Sequence, residues 1–371
     1  MAVDPSEMTI VDGATLFPAT PDGVQGLRQV CGVFDRTGRR VDGSDVAGRM
    51  GVLTLPGPVP AGTRPLRRGT WLYAGVDYHH FGHGLIFGLS RLWALDHVAV
   101  DGIVFLARGA PMQTRAGCGR HISALMNLLG IELPVVTVGL PEEVERLVVP
   151  PQGIGTDPEL FPGLPAFRDF IRRRLGPPAG QRGTRDIHVS RTGLGRGKAG
   201  WLHEDRLEAY LRAEGYETFH PQVHSLSEQV ETYASARRLI GIDGSALHLA
   251  AFALPEEAKF AALARRRGYA DDFATQARSF AGADAHAPHP ITRSHAPERS
   301  FRDGTLWMRQ VCEVDFPRLQ DTLARAGFIA SGTGWTNPTD GRTARRLARI
   351  SRAMASPLKP IPEALKSREP C

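Results

Sequence analysis

An α/β protein built from two Rossmann-like halves is the fold this sequence predicts, on three observations. Short apolar, β-branched runs alternate with helix-forming stretches between about residue 50 and residue 149. The Pro- and Gly-dense segment Pro150 to Pro165 then interrupts the pattern. A second series begins at Asp186: a strand ending in Ser190-Arg191, two helix signals, another strand, and a Gly244-Ser245 turn that opens a third helix. Strands and helices in alternation imply a parallel sheet covered on both faces.

Taken in order, residues 1 to about 50 are rich in Gly, Asp and Pro and read as an irregular arm with short strands. Leu72-Tyr73-Ala74, Ile103 to Leu106 and Val135 to Val138 read as strands, and Phe81 to Leu95 and His121 to Leu129 as helices, the latter closed by Gly130. After the linker come a helix over Phe167 to Leu175, the loop Gly176 to Gly180, and the strand Ile187-His188-Val189. The next helix starts near His203-Glu204, buries Leu207, Tyr210 and Leu211, and ends at Gly215. Ser225-Leu226-Ser227-Glu228 fits a capping box ahead of an apolar face of Leu226, Val230 and Ala234. The strand Leu239-Ile240-Gly241 leads to a helix over Ala246 to Phe252. Residues 265–300 read as a long loop, Phe316 to Ala326 as a helix, and the Arg-rich stretch after Gly332 as another before a Pro-rich tail. The expected division is residues 1–165, 180–330 and a C-terminal piece, 331–371.

Composition narrows the class. Hydrophobic content of 42% and charged content of 23% are those of a soluble globular chain, and no apolar run is long enough to span a bilayer. The segment Met1 to Gly13 carries Asp4, Glu7 and Asp12 without an apolar core, unlike a secretory signal, so a cytoplasmic location is expected. Cys31, Cys118, Cys312 and Cys371 are scattered, which argues against a zinc ribbon or disulfide framework. The net charge of +6 comes mostly from arginine, clustered at Arg172 to Arg174, Arg265 to Arg267 and Arg342 to Arg352, and suits an anionic partner. Aromatic residues are not interleaved with these clusters, so a nucleic-acid partner is not expected.

The chemistry concentrates in the second half. Ser190-Arg191 follows a strand at the edge where open α/β sheets bind ligands, though an arginine after a strand is common on any surface. Gly193 to Lys198, with Arg196, is a glycine-rich basic loop that suits a flap over phosphates. It is neither a Walker loop, since Ala199 stands where a magnesium-binding hydroxyl is needed, nor a dinucleotide fingerprint. Gly244-Ser245 offers first-turn N–H groups and a hydroxyl to an anion, or is simply a helix cap. His248, one turn further, can reach the same ligand or face away. Glu228 and Glu204 have structural alternatives as a capping-box acid and a helix-dipole partner.

The succession Val189-Ser190-Arg191, Arg196, His203-Glu204, Gly215-Tyr216, Ser225-Leu226-Ser227-Glu228-Gln229, Gly244-Ser245-Ala246-Leu247-His248 resembles glycosyltransferase family 61, the capsular polysaccharide type, over roughly Gly75 to Leu254. The resemblance implies a GT-B architecture, two Rossmann-like domains facing a cleft, and inverting transfer from a nucleotide-sugar donor bound mainly by the second. Ser190, Arg191 and Arg196 would meet the donor diphosphate and Gly244 and Ser245 would supply the helix-end part of that cradle, with Lys198, Glu204, Glu228 and His248 as the further donor-binding candidates. Glu204 matches the acid of the family's Asn-Glu pair, and His203 replaces the Asn.

Tyr78-His79-His80-Phe81-Gly82-His83 carries the remaining candidates. His79 or His80 with His83 at helical spacing could bind zinc, but there is no HExxH and no obvious third ligand. The same histidines could be interfacial or capping residues. The segment also resembles the family motif His-aromatic-x-x-acid-x-Leu-x-Arg-Leu, with His83 in register with Arg91-Leu92. A neutral imidazole can take the proton of an attacking hydroxyl near pH 7, which makes His83 the leading base, His80 the second and Asp243 an outsider. Gly84 replaces the motif's aromatic, and Phe87 stands where many relatives carry Glu or Asp.

The expected activity is transfer of a sugar to a glycan or lipid-linked glycan acceptor, in bacterial capsular or surface polysaccharide synthesis, with peripheral contact at the inner face of the membrane. No cofactor is required, and a divalent metal is compatible but not indicated, because no DxD pair ends a strand. The alternatives are a non-catalytic glycan- or nucleotide-binding protein that kept the fold, and a zinc-dependent hydrolase using His79, His80 and His83.

Overall fold

In the computed structural model, which describes residues 7–57, 62–109, 119–194, 200–266, 268–302, 306–330 and 334–362, the chain divides into two units, Met1–Gly176 and Pro177–Cys371. Both are mixed α/β. The first holds a six-stranded sheet of β1 (Thr9–Phe17), β2 (Gly32–Phe34), β3 (Leu66–Asp77), β4 (Gly102–Ala107), β5 (Val135–Val138) and β6 (Glu142–Val149), in the order β5-β4-β3-β6-β1-β2. The four strands from β5 to β6 are parallel, whereas β1 runs antiparallel to β6 and β2 antiparallel to β1. The wholly parallel sheet expected for this half is therefore a mixed one. The arm, read as irregular with short strands, supplies the nine-residue β1, which pairs with β6 from Thr9↔Val149 to Leu16↔Glu142. Thr, Val and Leu on the pleat favour the strand, while Gly13, at φ 68°, sits where Arg36 would collide with a β-carbon.

A single helix over Phe81 to Leu95 does not form. One α-turn (Phe81–His83) passes into a π-turn (Gly84–Gly88) and then a 3₁₀ segment (Leu92–Asp96). Three glycines weaken helix here, and two serve close packing. A β-carbon on Gly88 would lie 2.6 Å from Ile122 Cδ1, and one on Gly84 3.2 Å from Leu125 Cδ1, both side chains of α1 (Arg120–Leu128). Arg91 follows, fully buried. Its guanidinium donates to the carbonyls of Pro150 (3.0 Å), Gly43 (2.9 Å) and Asp45 (2.6 Å), and the Trp93 indole N–H donates to Pro151 (3.2 Å). The Arg-Leu-Trp run thus stitches two distant backbone segments to its own. No regular element lies between β6 and α2 (Pro165–Leu175).

The second unit contains an all-parallel sheet of β7 (Arg185–Val189), β8 (Glu217–Phe219), β9 (Ala236–Ile242), β10 (Lys259–Leu263) and β11 (Asp284–His286), ordered β8-β7-β9-β10-β11. Its crossovers are α3 (Glu204–Ala213), α4 (Leu226–Ala234), α5 (Ser245–Ala253) and α6 (Ala270–Ala281). Strand β8 has only three residues and escapes sequence reading. Residues 265–300 are not a long loop. They hold α6, β11 and the strand Ile291–Pro297, with Phe273, Ala274, Ala277, Phe280 and Ala281 buried at helical spacing. Alanine carries that face, and its weak hydrophobicity hides the period.

A four-stranded sheet of Gly200–Trp201, Val311–Val314, Ile291–Pro297 and Leu358–Pro360 packs into the same unit. The helices α7 (Phe316–Arg325) and α8 (Asp340–Ala353) lie in the chain between its strands Val311–Val314 and Leu358–Pro360. Trp201, Leu207, Leu211, Ile240, Leu263, Cys312, Phe316 and Trp335 share one core. Cys31 and Cys312 are buried free thiols, and burial pushes the Cys31 thiol up to about 12. Cys118 and Cys371 lie outside the described residues. Among those described, no helix is long and apolar enough to cross a membrane.

Candidate functional site

The strand order of the second unit fixes where a ligand site belongs. From β7 the chain crosses through α3 to β8 on one side, then returns through α4 to β9 on the other. The carboxyl ends of β7 and β9 therefore flank a topological switch point, where open parallel sheets bind ligands. Ser190-Arg191 leaves β7 there, and Asp243-Gly244-Ser245 leaves β9.

Ser190 is buried. Its N–H donates to the Phe219 carbonyl (2.8 Å), and its hydroxyl donates to the Glu208 carboxylate (2.5 Å) while accepting the Thr192 N–H (3.1 Å). Thr192 Oγ1 also donates to Glu208. The Arg191 N–H donates to Glu204 Oε1 at 2.6 Å. Glu204 and Glu208, one turn apart on α3, together hold the turn that follows β7. Burial pushes the Glu204 carboxyl up to about 7 against the opposing pull of the Arg191 N–H, so it titrates near neutrality.

Burial brings the Arg191 guanidinium down to about 10, with Arg265 adding to the effect, and it stays protonated at neutral pH. A β-carbon on Gly244 would collide with Arg191 Nη1. Gly244 itself is extended, at φ 171° and ψ 166°, so the glycine is required by proximity rather than by backbone conformation. It caps α5, and Ser245 occupies the first turn, half-buried.

Asp243, fully buried, anchors the opposite wall. Its carboxylate accepts the backbone N–H groups of Arg265 (2.8 Å) and Arg266 (3.1 Å) and the Arg265 Nε (3.0 Å). Burial pushes this carboxyl up, but Arg265 and Arg266, with Arg191, outweigh it and hold it below the usual range. As an ion-pair anchor it is poorly suited to the base role raised for it. The Arg265 carbonyl in turn accepts Gln310 Nε2 (2.8 Å) and Cys312 Sγ (3.1 Å), while the Trp201 indole donates to the Ala264 carbonyl (3.0 Å). The result is a loop of fixed shape carrying Arg265 and Arg266 beside the Arg191–Gly244 contact, and it can hold a multiply charged anion.

Of the predicted residues, Ser190, Arg191, Glu204, Gly244 and Ser245 share this edge. Glu228 is exposed and completes the capping box, accepting the Ser225 N–H at 2.7 Å. His248 turns to α6, its Nδ1 2.8 Å from Gln276 Oε1 and its ring on Phe273. Arg196 and Lys198 lie outside the described residues. Arg265, Arg266 and Glu208 were missed. A basic run directly after β10 and an acid one turn from Glu204 were the signals.

In the first unit, His79 and His80 are exposed and His83 is half-buried. The His80 and His83 rings lie 4.8 Å apart, and His83 also contacts Tyr78 (5.4 Å) and the buried Phe87 (5.8 Å). Asp77, ending β3 just before them, was also missed. Its Oδ2 accepts the Gly119 N–H and the Thr137 hydroxyl, each at 2.8 Å. Among the described residues, no group of three or more His, Cys, Asp or Glu side chains is placed to hold a metal ion, so the zinc reading finds no complete ligand set there.

No curated protein matches this chain. Residues 81–260, which include the turns after β7 and β9, match the model of the family described as Glycosyltransferase 61, and that match supports placing this segment among the family-61 glycosyltransferases.

Proposed function

We propose that the protein is an inverting glycosyltransferase that moves a sugar from a nucleoside-diphosphate donor to a glycan or lipid-linked glycan acceptor. The observation that carries this reading is the cationic cradle at the switch point, where Arg191 crosses Gly244 and Asp243 fixes Arg265 and Arg266. In the reaction, the acceptor hydroxyl attacks the anomeric carbon, its proton passes to a base, and the bond to the diphosphate breaks with inversion. Negative charge then grows on the leaving diphosphate, where preorganised arginines and the first turn of α5 stabilise it. His83 is the proposed base, with His80 second. A GT-B arrangement of the two units, bacterial capsular or surface polysaccharide synthesis, and a cytoplasmic site of action belong to the same proposal.

Metal is not demanded, since cationic side chains can neutralise the diphosphate. The buried packing of Phe87 against His83 favours one rival, a binding protein that kept the fold without the chemistry. Labelled nucleotide sugars offered with glycan and lipid-linked acceptors decide between them. Transfer that Arg191→Ala and His83→Ala both abolish supports the enzyme. Donor binding lost in Arg191→Ala but never followed by turnover in the wild type supports the rival.

A further inference from the structure

Helix α8 presents a second cationic feature, separate from the cradle and not used by the proposed chemistry. Arg342, Arg345, Arg349 and Arg352 recur at spacings of three, four and three residues, which places all four on one face of a helix. All four are exposed, and no ion pair engages them among the described residues. Gly341, Ala344, Ala348 and Ala353 are the other exposed residues on that side, so nothing bulky separates the guanidinium groups from an approaching surface.

The opposite face and the flank beside Arg342 and Arg349 are fixed to the second unit. Thr343 Oγ1 lies 3.5 Å from His203 Nε2, and Arg346 pairs with Asp205 at 3.4 Å. The Ser351 hydroxyl accepts the Leu358 N–H at 3.1 Å, and Met354 is buried. The Thr343 and Arg346 contacts fall at the N-terminal end of α3, beside Glu204, while Ser351 ties α8 to the strand Leu358–Pro360. The stripe is thus held rigidly against the helix end that supports the turn after β7.

We propose that this face of α8 docks on an anionic lipid bilayer. The charge is complementary, and the stripe runs about 15 Å at 1.5 Å per residue, long enough to meet several phosphate headgroups at once. Arginine rather than lysine supplies it, and guanidinium bonds phosphate oxygens in pairs. The exposed face carries no aromatic side chain on which bases could stack, which disfavours single-stranded nucleic acid as the occupant. Docking would bring the switch-point edge of the sheet near the bilayer, where a lipid-linked acceptor resides. The inference deepens the proposed acceptor class and rests on it only for that purpose.

Co-sedimentation of the full chain with vesicles tests the surface without any turnover. Vesicles of phosphatidylcholine alone are compared with vesicles containing about one third phosphatidylglycerol, at low and at high salt, since such binding is screened over a Debye length of about 10 Å. The expected result is binding to the anionic vesicles only, lost at high salt. Replacing the four arginines with alanine, which preserves helix, should weaken binding at least about tenfold with an unchanged circular dichroism spectrum. Replacement with lysine should retain most of it. Absence of binding to anionic vesicles, equal binding by the alanine variant, or tighter retention of single-stranded RNA at the same salt would each overturn the proposal. None of these outcomes bears on whether the protein transfers sugar.

Discussion

The Arg191 guanidinium passes so close over the backbone of Gly244 that no side chain fits between them. The two residues are distant in sequence, and their contact closes the cradle from both strands of the switch point. Because Gly244 is extended, alanine is conformationally allowed there and would act only by displacing Arg191. Gly244→Ala should therefore leave the thermal midpoint nearly unchanged and weaken pyrophosphate or nucleoside-diphosphate binding by at least about tenfold, the equivalent of 1.4 kcal/mol. Calorimetric titration beside a melting curve measures both.

Asp243 links stability to the cradle. Its carboxylate is fully buried against Arg265, and removing one partner of such a pair leaves an uncompensated charge, typically at a cost of about 3–5 kcal/mol. Asp243→Asn should lower the urea midpoint accordingly. The wild-type contribution is present above the ordinary carboxylate value of 3.8 and fades as pH falls through the depressed folded value. The gap between wild type and variant should thus narrow in acid, and a gap that stays constant from neutral to strongly acid pH would show that the ion pair is not its source.

Glu204 has the opposite sign. Its folded value lies near 7 against an ordinary 4.5, so its favourable contribution is present below about pH 4.5 and lost as pH rises through 7. Gln mimics the protonated acid. Glu204→Gln should gain on the wild type across that window, by about 3 kcal/mol at its upper end. Ionisation also places a negative charge beside Arg191, so wild-type pyrophosphate affinity should fall from pH 6 to pH 8 and that of Glu204→Gln should not. Parallel titrations at the two pH values check this.

Arg91 is predicted to be structural. Buried, and bonded to three backbone carbonyls, it should not tolerate Lys, which cannot span them, and Arg91→Lys should destabilise the first unit by about 2–4 kcal/mol. Pyrophosphate affinity of the second unit, measured where the variant remains folded, should be unaffected. A selective loss of anion binding without destabilisation would contradict this assignment.

What the sequence made legible was local. The capping box at Ser225 rests on residues three apart, and its hydrogen bonds form as the motif requires. Strand β5 is a continuous β-branched run, and β4 has Ile103, Val104 and Phe105 at its centre. The helix read over Phe81 to Leu95 failed because three glycines weaken α-helix and because Arg91 answers to carbonyls at positions 43, 45 and 150, which no local pattern encodes. Helix α6 was hidden by its alanine face. Within the candidate site, Ser190, Arg191 and Gly244 could be picked out from strand ends and glycine. Arg265 and Arg266 show only as a basic run after a strand, because their role depends on an aspartate more than twenty residues earlier that a sequence shows only as one acid among many.

The grip on the Arg265 carbonyl has a consequence for how the protein is made. Its two donors, Gln310 and Cys312, come 45 and 47 residues later in the chain. All five strands of the parallel sheet precede them, so a chain emerging from the ribosome can assemble that sheet while the loop bearing Arg265 and Arg266 still lacks its clamp. The cradle is thus among the last features of this unit to acquire its final shape, and a product cut short before residue 310 would lack both the clamp on its cationic edge and the residues from Cys312 onward that complete the core beneath the sheet.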